Sequence, residues 1–330
     1  MITVWPTSVY VSSTATLQMD LCVTIKGVSF LLQTGLGVLG NALVLLAYVH
    51  IAHGADHKLL PTDLILCHLA FSNLVLLLTR CVPQTMTVFG LHDLLDDAGC
   101  KVVIYLYRIT RALSVCLTCM LSVFQAATLA PDAPRLKAAL PALVLPSFAG
   151  LWLLNMAVCV AAPFFSIAPR NGTVPAFTLN LGFCHVDFRD YLSYVINGVA
   201  VSARDFAFVL LMLLSSGYIL LILHRHSRRV RSVRRGAAAQ GVETRAAKTV
   251  VTLVVLYAVF FGIDNVIWIY MLTVAKVSPV VADMRVFFSS SYAFLSPYFI
   301  ISSNKKIKGK LVCAVEQQQS PAETQTSNEK

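Results

Sequence analysis

The chain predicts an all-α membrane protein, a seven-transmembrane helix bundle with its N-terminus outside and its C-terminus inside. Three observations carry that prediction. Seven apolar stretches, at about 22–51, 63–90, 101–130, 139–165, 191–223, 249–271 and 284–303, could each cross a bilayer. A spanning helix needs roughly 20 mostly apolar residues. The composition is 57% hydrophobic and 13% charged, with a mean hydropathy of +0.73, whereas soluble domains carry about 25% charged residues. The third observation is the distribution of the basic residues. The link between spans five and six, HRHSRRVRSVRRGAAAQGVETRAAK, holds Arg225, Arg228, Arg229, Arg231, Arg234, Arg235, Arg245 and Lys248 against a single acid, Glu243. Lys305, Lys306, Lys308 and Lys310 follow span seven, and Lys58, Arg135 and Lys137 lie in the other links of that side. The link after span two, LHDLLDDAG, is acidic instead. Short Lys/Arg-rich loops stay cytoplasmic. Most of the net charge of +10 is therefore a topology signal and an attraction for membrane lipid headgroups; nucleic acid is not the expected partner.

The elements follow in order. Residues 1–21 are expected as an extracellular N-terminus. They lack the basic start and continuous apolar core of a signal peptide, so span one is expected to act as its own insertion signal; Met19 offers an alternative start. Residues 22–303 are expected to form the seven-span bundle and 304–330 a cytoplasmic tail. In span one, Gly35, Gly37 and Gly40 permit close helix packing, and His50, His53 and His57 read as interface residues rather than metal ligands. Span two carries Arg80 beside Pro83, which bends the helix. Span three begins at Cys100 and carries Arg108 and Arg111 on one face, roughly 12–17 Å below that cysteine at about 1.5 Å per residue. Spans four and five are joined by a long outer link with Cys184 and a glycosylation sequon at Asn171-Gly172-Thr173. Span five holds Asn197, Arg204 and Asp205, then an uncharged run from Phe206 to Leu223. Span six is uncharged from Thr249 to Ile263 and then presents Asp264, Asn265 and Trp268. Cys313 in the tail is a candidate for palmitoylation or a plain tail cysteine.

Among nine cysteines, Cys67, Cys81, Cys116, Cys119 and Cys159 lie at membrane depth and read as small apolar packing residues. Cys100 and Cys184 both face the oxidising side, where a bridge persists; Cys22 is left over there.

Charges inside the membrane cost about 2.5–3.5 kcal/mol each on insertion scales and mark function or internal pairing. Four arginines, Arg80, Arg108, Arg111 and Arg204, face two acids, Asp205 and Asp264, a surplus of two positive charges. Pairing of Arg204 or Arg108 with Asp264 would account for part of it. The remainder points to a cationic pocket for a small anion, because an arginine fork holds a carboxylate or sulfate bidentately. Tyr105, Tyr107, Asn197, Phe261 and Trp268 are candidate walls. No Ser/His/Asp set, paired carboxylates or phosphate-cradling loop appears, so neither an enzyme nor a bound cofactor is expected.

The motifs narrow the class. Span one has Gly40-Asn41. Span two reads PTDLILCHLAFSNLVLLL and then RCVPQTM, and span three reads CKVVIYLYRITRALSVCLTCMLSVFQAATLAP. RDFAFVLLMLLSSGYILLIL with HRHSRRV, ETRAAKTV and SPYFIIS complete the set. The order resembles the vomeronasal type-1 receptors and their fish counterparts, the olfactory receptors related to class A, over about residues 22–303. The resemblance implies a G-protein-coupled chemosensory receptor in the plasma membrane of chemosensory neurons. It supports the Cys100–Cys184 bridge and implies a small odorant or pheromone ligand and a heterotrimeric G protein of the inhibitory type. The rhodopsin-like Asp-Arg-Tyr is replaced by Phe124-Gln125-Ala126, which puts Gln125 where the G-protein-facing arginine would be. Asn73 replaces the usual buried aspartate, and Ser296-Pro297-Tyr298 replaces the Asn-Pro motif. Arg225, Arg228, Arg229, Arg245 and Lys248 are the expected inner contacts. A bitter-taste-type receptor and a membrane transporter are the alternatives; LSVFQAATLAP argues against the first, and the lack of repeat halves against the second.

Overall fold

The computed structural model describes residues 7–54, 59–91, 94–131, 134–169, 178–230, 237–273, 278–304 and 306–310. The elements in chain order are α1 (Thr7–His53), α2 (Pro61–Leu76), a π-helical turn (Leu77–Cys81), α3 (Val82–Val88), α4 (Asp97–Leu129), α5 (Pro134–Val158) and α6 (Ala162–Phe165). Three short strands follow, β1 (Ser166–Ile167), β2 (Thr178–Asn180) and β3 (His185–Asp187), then α7 (Tyr191–Val230), α8 (Ala237–Thr273) and α9 (Pro279–Ser303). A last helical turn spans 306–310.

Long helices are what a hydrocarbon solvent demands, because each backbone N–H and C=O must be satisfied within its own segment. Among the described residues, six helical segments are long and apolar enough to cross a membrane: Val23–His53, Pro61–Val88, Asp97–Leu129, Lys137–Phe165, Tyr191–His226 and Thr244–Met271. The seventh expected span is α9, a helix of 25 residues packed against α1, α2 and α8. It is too polar for that set because it turns Ser290, Ser291 and Ser296 into the bundle, where all three are buried. Span boundaries fall near those expected, except that α1 starts at Thr7 and α7 and α8 run past their apolar stretches, to Val230 and from Ala237.

Local chemistry sets the helix ends. Pro61 opens α2, and the Asp63 carboxylate reaches back to accept from Leu60 N at 3.1 Å, the carboxylate half of a capping box. Asp96 caps α4 by accepting from Gly99 N at 2.7 Å, and Pro279 stands in the first turn of α9. Asn304 ends α9 and accepts from Lys306 N at 3.0 Å, which starts the terminal turn; that turn buries Ile307 in the core.

Helix α4 is the axis. It packs against α2, α5, α7 and α8 and buries Leu113, Leu117 and Leu121 completely. Polar threads tie the other helices to it and to α9. Asn73 of α2 donates to Ser296 Oγ of α9 at 3.0 Å and accepts from Ser114 Oγ of α4 at 2.7 Å. Asn41 of α1 donates to the Ala293 carbonyl of α9 at 2.9 Å. Gly37 and Gly40 do permit close approach: a Cβ on Gly37 would meet Leu77 Cδ1 at 2.9 Å, and one on Gly40 would meet Pro297 Cγ at 3.0 Å. Gly35 does not, since nothing lies within 4 Å of its Cβ position. The five membrane-depth cysteines are reduced and buried or half-buried.

The link between α6 and α7 forms an antiparallel sheet in the order β1-β3-β2, with Ser166 opposite Val186 and Leu179 opposite Val186 on the other side. This sheet was not foreseen from the sequence. Cys184, at the start of β3, is bridged to Cys100 of α4, with 5.7 Å between their Cα atoms. Around the bridge, Ile104, Ala162, Phe183, Val186 and Phe188 make a second, smaller core, and Asp97 accepts from Ala168 N at 2.7 Å to hold the first strand. Asp96 and Asp97 of LHDLLDDAG thus build the cap of α4 and the anchor of the sheet.

Candidate functional site

Beneath the sheet, a cavity of about 440 Å³ opens among α1, the π-helical turn, α3, α4, α8 and α9. The hairpin turn at Leu181-Gly182 forms part of its roof. Gly182 has φ +86° there, a left-handed conformation that only glycine adopts freely. A second chamber of about 130 Å³ lies toward α7. Tyr107, Arg108, Arg111, Asp264 and Arg285 line both.

The structure brings all eight expected ligand residues to these walls and adds charges that the sequence reading missed. Arg111 donates to Asp264 Oδ2 at 2.7 Å and lies 3.7 Å from Asp205 Oδ2. Arg204 clasps its neighbour Asp205 with Nε at 3.0 Å and Nη2 at 2.8 Å, and reaches toward Asn155 Oδ1 and Cys159 Sγ. Arg285 of α9 donates to Asp264 Oδ1 at 3.3 Å and stacks over Trp268, 4.2 Å from the ring centre. Asp264 is therefore held by Arg111 and Arg285, not by Arg204 or Arg108. Arg204 takes the carboxylate next to it in sequence, and Arg108 lies a helical turn nearer the disulfide. The pairs join α4, α7, α8 and α9 in one network.

Arg108 and Arg80 stand apart. Arg108 donates to Asn197 Oδ1 at 2.8 Å and lies 5.9 Å from the Phe188 ring centre. Arg80 donates to Gln84 Oε1 at 3.1 Å and sits between the rings of Tyr107 and Phe183, at 5.6 and 5.3 Å. Neither guanidinium has a carboxylate within ion-pair distance among the described residues. Arg80 is almost fully buried, and a charge so placed calls for a partner. With Arg285 counted, five arginines meet two aspartates around the two chambers, a surplus of three. At the rim, Lys26 and Asp283 pair with each other.

Arg80 owes its position to the π-helical turn. Pro83 has no N–H to give the preceding turn, and Val82 N instead bonds Leu77 O, five residues back. Such turns recur at functional sites. Of the proposed wall residues, Tyr107, Asn197, Phe261 and Trp268 do line a chamber, whereas Tyr105 donates to the Met156 carbonyl and faces neither. Asp283 was missed because span seven was expected to begin at 284, and Arg285 and Lys26, although inside the expected spans seven and one, were passed over because each stands within a few residues of a span end. The Ser278-Pro279 helix-start signal places Arg285 nearly two turns inside α9.

Two titratable groups of the link are shifted. Burial pushes the His185 imidazole below its ordinary value, and the hydrogen bonds of Ser193 hold Asp190 below the usual carboxylate range. At the other end of the bundle, Gln125 is buried, while Arg225, Arg228, Arg245 and Lys248 are exposed; Arg245 donates to the Ser302 carbonyl at 3.3 Å. Asn171, Arg231, Arg234, Arg235 and Cys313, and the side chains of Cys22, Arg229 and Glu243, lie outside the described residues.

The fold matches the crystal structure of squid rhodopsin with a TM-score of 0.68 at 19% identity, over 88% of this chain and 84% of that one. At that identity the likeness defines the class: a helical membrane bundle of the rhodopsin kind. The model of the vomeronasal organ pheromone receptor family matches residues 24–312, and the chain belongs to that family. It is 72% identical to olfactory receptor class A-like protein 1 of Danio rerio, over 92% of this chain and 97% of that protein. It is 31% identical to human vomeronasal type-1 receptor 1, over 86% of this chain and 81% of that one. The family is one of chemosensory, multi-pass membrane receptors coupled to G proteins, not an enzyme class.

Proposed function

We propose that this receptor detects small organic anions from outside the cell and signals through a heterotrimeric G protein of the inhibitory type, in chemosensory neurons. One observation carries the ligand class. Arg80 and Arg108 face a cavity of about 440 Å³ with no carboxylate of their own among the described residues, in a size range suited to small-molecule sites. An anion would supply the missing partner by charge-assisted hydrogen bonds. Tyr107, Phe188 and Trp268 offer aromatic faces for the rest of the molecule.

The basic end of the bundle supports an orientation with the disulfide outside and the link between α7 and α8 in the cytoplasm. A ligand shifts the receptor only by its differential affinity for two arrangements. The network of Arg111, Asp205, Asp264 and Arg285 crosses four helices, so an anion that draws Arg285 or Arg111 from Asp264 favours a different packing of α8 and α9. Below it, Tyr292 is bonded to Thr118 at 2.7 Å and packs edge-on to Tyr257, a route toward the end where Gln125, Arg225, Arg228, Arg229, Arg245 and Lys248 would meet the G protein.

The test is a dose–response screen in cells expressing the receptor with a promiscuous G protein. Small carboxylates and sulfates are paired with their neutral and amine analogues. Responses confined to the anions support the reading. Responses only to neutral or cationic members overturn the anionic assignment and turn attention to Asp205 and Asp264.

A further inference from the structure

A separate concavity of about 430 Å³ lies on the perimeter of the bundle, between α4, α5 and α7. It shares no lining residue with the arginine chambers. Its α4 wall spans Cys116 to Phe124, about 24–36 Å along the helix from the disulfide. The walls are apolar: Met120 and Phe124 of α4, Leu143 and Leu151 of α5, and Phe208 and Leu211 of α7. Gly150 leaves the concavity open, since a Cβ built there meets nothing within 4 Å. Leu143 and Leu211 are about half exposed at its rim, and α5 is the least buried of the six candidate spans.

In a bilayer such a surface faces hydrocarbon, and an acyl chain is the apolar group at hand. What would make this a site, rather than a place where any lipid rests, is the charge at its end. Lys137 stands three residues before Leu140, one turn along the same face, and Arg135 lies in the same turn of α5. Both are exposed. Each basic residue near an anionic lipid surface favours it about fivefold.

We infer that this groove binds one acyl chain of an anionic phospholipid, with the phosphate-bearing headgroup on Lys137 and Arg135. The full-length receptor, purified in mixed micelles, is offered dioleoyl phosphatidylglycerol, dioleoyl phosphatidylcholine and cholesterol, and the retained lipid is read by native mass spectrometry. The site requires wild type to retain phosphatidylglycerol over phosphatidylcholine by roughly tenfold or more, consistent with two basic contacts. Arg135→Gln with Lys137→Gln brings that ratio to near unity. Gly150→Leu, which fills open space, cuts total retention; if it yields no folded protein, Leu143→Trp closes the same groove from its rim. A photoactivatable acyl chain on phosphatidylglycerol then labels α4, α5 and α7. Equal retention of the two phospholipids by wild type overturns the proposal. So does retention unchanged by filling the groove, or cholesterol held in place of phosphatidylglycerol.

Discussion

At the scale of single residues, the arginines divide by what holds them. Among the described residues Arg108 meets the amide oxygen of Asn197 and the face of Phe188, and no carboxylate. Arg108→Ala therefore lowers potency for an anionic agonist by about 10- to 100-fold, the value of one charge-assisted hydrogen bond, while surface expression stays near wild type. Arg111 is held by two carboxylates on different helices. Arg111→Ala leaves Asp264 and Asp205 short of a partner, and breaking a buried pair in this way costs about 3–5 kcal/mol. The expected outcome is loss of surface expression, partly restored by adding Asp264→Asn; cell-surface labelling reads both. Six of the charges, Arg80, Arg108, Arg111, Arg204, Asp205 and Asp264, were legible in the sequence, because an ionisable group in the middle of an apolar run stands out. Their pairing was not. Whether Asp264 meets Arg204, Arg108 or Arg111 depends on helix rotation to within one turn, which residue spacing along separate helices does not carry.

Among the helices, legibility followed hydropathy. The first six spans were readable as apolar runs, and α9 as a weaker one, because only the face that it hides is rich in serine. The strands β1 to β3 left no such trace: each has two or three residues, too few for an alternating pattern to register. The glycines of α1 give a direct check on packing. Gly40→Val drives a side chain into Pro297, and overpacking of this kind costs about 1–3 kcal/mol. Gly35→Ala meets nothing and has no such cost. A thermal-shift measurement on the purified receptor separates the two: a clear fall in Tm for Gly40→Val, and none for Gly35→Ala.

For the molecule as a whole, the disulfide closes a span of 84 residues. In the chain-entropy picture a loop of that size is worth about 4.5 kcal/mol, so Cys184→Ser is expected to lower both Tm and agonist response. His185 lies beside that bridge with its imidazole pushed down by burial. Its neutral form is the one the folded sheet favours, so this contribution is present above its ordinary value of about 6.5 and is lost as pH falls through the lower folded value. The protection of the link's amides, corrected for intrinsic exchange, should accordingly fall as pH drops below about 6.5, and His185→Gln should remove that dependence. The π-helical turn at Leu77–Cys81 has a consequence for anyone laying this helix over a regular one. One extra residue in a turn displaces all that follows by about 100° in facing. Positions counted forward from Pro61 and positions counted back from Val88 thus name different faces of the same rod. Deleting a single residue within the turn would swing Arg80 out from between Tyr107 and Phe183, with no change to any residue it touches.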